Sequence, residues 1–216
     1  MFKFHYVLVG FFLTIVSCNT DDEKSEAQEV EENFYALTVG NSWQYEYYRR
    51  VDDTEAFEKL DLLAEVEITG TSVIDGETYY DQRTVITGND TYVPGDEDLG
   101  ETFQKRRDSL GYLIDEKGTI IFSNENQVDY TVSENSWGTV FGKLQTNTET
   151  VVVDAGTFTC TDNLIYAVMS SGETAPGTDH VYYFDGVGFM QRNFSLVSQE
   201  RHTWEKRLKS YEIVED

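Results

Sequence analysis

Residues 42–48 read SWQYEYY and residues 64–69 read AEVEIT. In the first, Trp43, Tyr45 and Tyr47 alternate with Gln44, Glu46 and Tyr48; in the second, Ala64, Val66 and Ile68 alternate with Glu65, Glu67 and Thr69. Successive side chains of a strand point to opposite faces, so a period of two marks one face in a core and the other in water. Moving outward, turn signals recur at Asp75-Gly76, Gly88-Asn89-Asp90, Pro94-Gly95, Leu110-Gly111, Lys117-Gly118, Ala155-Gly156, Pro176-Gly177 and Asp185-Gly186. Between them lie further strand candidates at 78–87, 102–107, 111–114, 119–123, 139–145, 148–153, 157–170, 181–184, 187–198 and 201–214. Such a series is too long for a small flat sheet. The expected fold is mainly β: a single strongly curved antiparallel sheet or half-barrel of about ten strands, with few helices. The best helix candidate is 55–64 (EAFEKLDLLA), where Phe57, Leu60, Leu63 and Ala64 form a partial helical stripe, although the same residues can equally feed the next strand.

The composition supports a single packed domain, expected over 34–216. Of 216 residues, 39% are hydrophobic and 14% aromatic, enough to bury a core and to exclude wholesale disorder despite a net charge of −24. The 40 acidic residues against 16 Lys and Arg exclude condensation on nucleic-acid phosphates or on anionic lipid surfaces. Two Cys cannot build a disulfide scaffold.

The first residues carry an address. Lys3 is followed by the apolar run VLVGFFLTIV at 7–16 and the small residue Ser17, the three-part build of a secretory signal. Ten helical residues reach roughly 15 Å, about half the hydrocarbon thickness of a bilayer, which disfavours a permanent spanning helix. Ile15, Val16, Ser17 and Cys18 resemble the lipobox of bacterial lipoproteins, with Ile15 where Leu is commoner. The resemblance implies cleavage after residue 17, a diacylglycerol thioether on Cys18 and usually an acylated new amine; two or more chains make such an anchor stable. The alternative is an ordinary secretory signal with free release. Residues 18–33 follow as a lipidated Cys and an acidic tether: from 19 to 33 there are seven acids, one Lys and a single large aliphatic, too little apolar surface to offset ordering entropy. The acids Asp21 to Glu23 also resemble the surface-export signal of Bacteroidota-type lipoproteins, implying an outer-membrane protein exposed at the cell surface; the alternative is a plain spacer and a periplasmic face.

Three further segments carry a second resemblance. LTVGNSWQY at 37–45 contains Gly40, Asn41 and Trp43; VDAGTF at 153–158 contains Gly156 and Phe158; YYFDGVGFMQR at 182–192 contains Gly186 and Gly188. Their order and spacing resemble a group of bacterial secreted and lipoprotein domains with LolA-like half-barrel folds. Departures are Ala36 and Asp154 where Pro is usual, and Phe189 and Met190 where smaller aliphatics stand. The roles of these residues are structural, so the resemblance implies a fold and not a reaction. Relatives with this architecture often hold lipid or another apolar molecule against a concave sheet.

Residues able to do chemistry are sparse. With His5 in the signal, the mature domain has His180 and His202, with no G-x-S-x-G elbow; the reading for each is a polar residue near a strand end. A carboxylate within hydrogen-bond reach of each would favour an enzyme. Neither H-E-x-x-H nor a Cys pair is present for zinc. Cys160 shares strand parity with Phe158 and is expected to be a small buried hydrophobe. In the loop after Pro94, Asp96, Glu97, Asp98 and Glu101 offer oxygens for calcium, although the spacing is not that of an EF-hand and solvated loop acids are the default. Gly186-x-Gly188 lacks the rest of a dinucleotide loop, and no cofactor is expected. Neighbouring tyrosines such as Tyr47-Tyr48, Tyr79-Tyr80 and Tyr182-Tyr183 must place one member outward or along a concavity. Asp108-Ser109-Leu110 resembles an O-glycosylation acceptor of the same phylum, which implicates Ser109. The functional expectation is a non-catalytic, membrane-anchored binding module for an apolar ligand or lipid. Its rivals are a scaffold lipoprotein contacting an envelope protein or glycan, and third a hydrolase; a continuous apolar cavity favours the carrier.

Overall fold

A computed structural model of the chain describes residues 33–214, apart from 53, 91 and 96. Thirteen strands follow in order: β1 Ser42–Arg50, β2 Phe57–Ile74, β3 Glu77–Gly88, β4 Gly100–Ser109, β5 Tyr112–Asp115, β6 Ile120–Ser123, β7 Tyr130–Asn135, β8 Gly138–Leu144, β9 Glu149–Val153, β10 Gly156–Met169, β11 Thr174–Phe184, β12 Gly188–Ser195 and β13 His202–Glu212. Every pairing is antiparallel. The fold expectation holds: the protein is all-β, one antiparallel sheet nearly closed into a barrel, with no helix among the described residues.

Three details correct the sequence reading. From Phe57 on, the helix candidate 55–64 forms the first half of β2. Its even positions, Leu60, Leu62, Ala64, Val66 and Ile68, continue one apolar face, while Glu58 and Lys59 pair with Arg49 and Tyr48 across the ladder. Ion pairs Arg49–Glu58 (2.5 Å) and Lys59–Glu46 (2.7 Å) then bind strand to strand, which a helix would forgo. The described residues hold thirteen strands, more than about ten, and β7 lies outside every candidate range because its alternation is weak. Finally, Pro176-Gly177 is no turn but part of β11; the chain turns earlier, at 170–172. Gly177 is there for close approach, since a Cβ at that position would lie 2.2 Å from the Leu196 carbonyl oxygen.

The sheet runs β6-β5-β4-β3-β2-β1-β13-β12-β11-β10-β8-β7, with β9 paired only to β10. The first and last strands are therefore neighbours in the middle of the sheet, and its two edges, β6 and β7, approach each other without forming a ladder. Asn163 of β10 bridges this seam. Its amide copies a peptide group: Oδ1 accepts from the Ser123 backbone N–H (2.9 Å) and Nδ2 donates to the Ser123 carbonyl (2.8 Å). The Tyr130 hydroxyl donates to the same Oδ1 at 2.8 Å, and Asn163 and Ser123 are both fully buried.

The inner face carries the core, with Tyr47, Ala64, Phe122, Met190 and Leu208 fully enclosed. Each such large apolar side chain contributes about 1.5–3 kcal/mol on leaving water. The β9–β10 arm packs against β12 and β13 and buries Val151, Val153 and Cys160.

Candidate functional site

Within the barrel lies a cavity of about 430 Å³, inside the range usual for small-molecule sites. Alternation in the ladders decides which side chains reach it. Trp43 and Tyr45 face inward from β1, Val66 and Ile68 from β2, Gln82, Thr84 and Ile86 from β3, and Thr102, Gln104 and Arg106 from β4. From the other half come Ile165, Val181, Tyr183, Arg192, Phe194 and Lys206. Thr102 and Gln104 are exposed, so the cavity communicates with solvent on the β4 side. A second cavity of about 400 Å³ shares Val132, Ile165, Arg192 and Phe194 with the first and extends past Trp137 and Trp204.

The lining mixes apolar side chains with polar and charged ones. Lys206, nearly buried, donates to Glu97 Oε1 at 2.6 Å, and its ammonium lies 5.2 and 5.3 Å from the ring centroids of Tyr45 and Tyr47. The Tyr47 hydroxyl donates to the other Glu97 oxygen at 2.5 Å; burial, then the Glu97 charge, pushes that hydroxyl's pKa well up. Arg192 donates through Nη2 to Asp179 at 3.2 Å and lies over the Phe194 ring, while its buried Nε has no partner among the described residues. Arg106 donates to the Lys105 carbonyl (3.2 Å) and to Gln104 Oε1 (2.6 Å), and burial lowers its pKa. Tyr183 is pushed up to about 12 by burial, with the Arg106 and Arg192 charges opposing the rise.

The residues singled out from the sequence are spread over several places. Of the motif residues, Trp43 and Gly188 line the cavity. Gly40 has φ +98° and donates to the Ile68 carbonyl at 2.8 Å. The Asn41 amide donates to Ala36 O and accepts from Val214 N, both at 2.8 Å. The Trp43 indole donates to the Val187 carbonyl at 2.7 Å, between Gly186 and Gly188, so the first and third motifs meet. Gly156 opens β10, and Phe158 packs on Phe184, with ring centroids 5.2 Å apart. Ser109 ends β4 at an exposed turn beside Leu110. Of the calcium candidates, Glu97 turns inward to Lys206 and Glu101 pairs with Arg83 at 2.5 Å; no group of three or more potential metal ligands occurs among the described residues. Asp96 lies outside the described residues, as do Cys18, the leader and the tether up to residue 32.

Both histidines have carboxylate partners. His180 Nδ1 is 2.8 Å from Asp162 Oδ2, and this hydrogen bond outweighs burial to raise the imidazole pKa. His202 Nε2 is 2.9 Å from Glu205 Oε1, with the ring stacked on Phe57. Neither lines the cavity, and among the described residues neither ring is hydrogen-bonded to a Ser, Thr or Cys side chain. Cys160 is fully buried, and burial pushes its thiol up to about 12.

Two solved structures share this architecture. One is a protein of Parabacteroides distasonis provisionally described as a lipoprotein, with a TM-score of 0.51. The other is a provisionally described exported protein of Bacteroides fragilis with a YmcC-like fold, at 0.52. In each case 84% of this chain and 99% of the other are covered at 12% identity, a likeness of fold. No family model matches the chain, and neither does any curated protein.

The inward cations are what the sequence reading missed. The signal was present in the register: Met190, Arg192, Phe194 and Trp204, Lys206, Leu208 each place a cation in the middle of an inward apolar series. A charge at such a position must either have a partner or serve a ligand.

Proposed function

We propose that the chain is a cell-envelope lipoprotein of the LolA-like half-barrel kind, anchored through acyl groups on Cys18, whose barrel binds an apolar or amphipathic ligand without transforming it. The observation that carries this reading is the cavity of about 430 Å³, walled by Trp43, Tyr45, Val66, Ile68, Ile165 and Val181. A scaffold filled by its own aromatics would leave no such space. Support for the envelope location comes from the lipobox residues 15–18 and from the printed descriptions of the two proteins of similar fold. The acids Asp21, Asp22 and Glu23 favour the outer face of the outer membrane over the periplasmic face.

The two His–carboxylate pairs meet the criterion set for an enzyme, yet neither borders the cavity or has a nucleophile hydrogen-bonded to it among the described residues. A binding role therefore fits the arrangement better than hydrolysis. The test is native mass spectrometry, with organic extraction, of the protein purified from its envelope. A stoichiometric co-purifying amphiphile is expected; a clean apo mass that stays unchanged after incubation with envelope lipids refutes the carrier. Cys18→Ala should release the protein from membranes, and continued membrane association would refute the anchor.

A further inference from the structure

Three cations line the cavity of a chain in which acids outnumber Lys and Arg by 40 to 16, and only two of them are matched. Lys206 has Glu97 and Arg192 has Asp179. Arg106 has no carboxylate within 4.0 Å among the described residues. Its guanidinium carries five N–H donors, and two hydrogen bonds to neutral acceptors, the Lys105 carbonyl and Gln104, leave the fork incomplete. Tyr183 lines the same cavity, and its hydroxyl makes no hydrogen bond among the described residues although the residue is only 9% exposed. A half-buried cation without a carboxylate and a phenol without a partner among the described residues thus face one cavity. Both deficits are met by one oxyanion.

We propose that the cavity takes an amphiphile with a singly charged carboxylate headgroup, that Arg106 with the Tyr183 hydroxyl holds that headgroup, and that the inward face of Val66, Ile68, Ile86 and Val181 receives its apolar chain. This rests on the reading of the cavity as the ligand site and adds the chemical class of the ligand. A planar carboxylate matches the guanidinium fork, and a phenolic O–H adds a third donor. A dianionic phosphate is disfavoured because Glu97 and Asp98 line the same space and repel a second negative charge.

The test uses the full chain with Cys18→Ser, so that no acyl group of its own enters the cavity, and measures binding of palmitate, hexadecanol and acetate by calorimetry. Palmitate is expected to bind at one site about ten- to a hundredfold more tightly than hexadecanol, the worth of a charge-assisted hydrogen-bond pair. Acetate is expected to bind far more weakly than palmitate. Arg106→Gln should abolish the preference for palmitate while leaving hexadecanol binding intact, which also shows that the variant is folded. Tyr183→Phe should weaken palmitate binding severalfold. Equal binding of palmitate and hexadecanol, indifferent to Arg106→Gln, overturns the carboxylate proposal and leaves the apolar-ligand reading standing. Acetate binding as tightly as palmitate overturns it in favour of a free-anion site. If neither long-chain molecule binds, both readings fall.

Discussion

Asn163 bridges the seam of the barrel, and Asn163→Leu tests its role by removing the amide while keeping the branching of the side chain's heavy atoms. The substitution removes three hydrogen bonds and leaves three groups without their partner: the Ser123 N–H, the Ser123 carbonyl and the Tyr130 hydroxyl. Ser123 is fully buried, so water cannot reach its peptide groups without opening the seam. Each buried polar group left unsatisfied costs about 1–3 kcal/mol. Tyr130 can swing its hydroxyl toward solvent, so the expected loss is about 3–6 kcal/mol, against a total stability of about 5–15 for an ordinary domain. Urea unfolding followed by far-ultraviolet circular dichroism reads the loss as a lower midpoint. Hydrogen exchange should place it at β6, whose amides lose protection first. Tyr130→Phe removes one of the three bonds while the Asn163 oxygen keeps the Ser123 N–H, so it should cost only about 1 kcal/mol. A midpoint for Asn163→Leu equivalent to within about 1 kcal/mol of the parent would refute the seam argument.

Other expectations follow from single residues. Because Asp162 raises the His180 pKa, the pair's contribution to stability is fully present below the unfolded value near 6.5 and is lost as pH rises through the higher folded value. Asp162→Asn should abolish this dependence and lower the pKa seen in the imidazole proton resonances; an unchanged titration counts against the pair. In the Cys18→Ser protein, Cys160 should react with a thiol reagent only as fast as the domain unfolds, and rapid labelling of the native state would contradict its burial. At Gly142 a Cβ would lie 2.2 Å from Tyr130 Cζ, so Gly142→Ala should cost about 1–3 kcal/mol by forcing that ring aside. The cost should shrink in a Tyr130→Leu background, and an equal cost in both would show that the ring is not the obstacle.

Much of the fold was legible because alternation is local. Trp43, Tyr45 and Tyr47 announce a strand with no knowledge of its partner, and all three are buried. Where local cues conflict, the ladder decides: 55–64 holds both a helical stripe and a period of two, and pairing with β1 selects the second. Pro176-Gly177 misleads for a related reason, since a glycine required by the Leu196 backbone cannot be told from a turn glycine until its neighbour is known. The first and third motifs are brought together by the Trp43–Val187 hydrogen bond, which joins residues 144 apart. The cavity was the least legible part. Arg106, Tyr183, Arg192 and Lys206 come from four strands whose convergence is a property of the closed sheet, and Arg106 sits in a polar series with Thr102 and Gln104 that reads as an ordinary solvent face.

The adjacency of β1 and β13 has a consequence for how the protein is made. Trp43 faces Tyr211 and Tyr47 faces Lys206, so the sheet's central ladder joins the first strand to the last. As the chain emerges, β1 to β6 and β7 to β12 can each zip locally as meanders, but they remain two separate leaves, each with a long unpaired edge at what will become the middle. The strand that joins them is synthesised after both. Loss of β13 would therefore split the sheet in two, whereas loss of a strand at either edge would only shorten it. An interrupted chain would present two adhesive edges where the finished one presents a continuous wall.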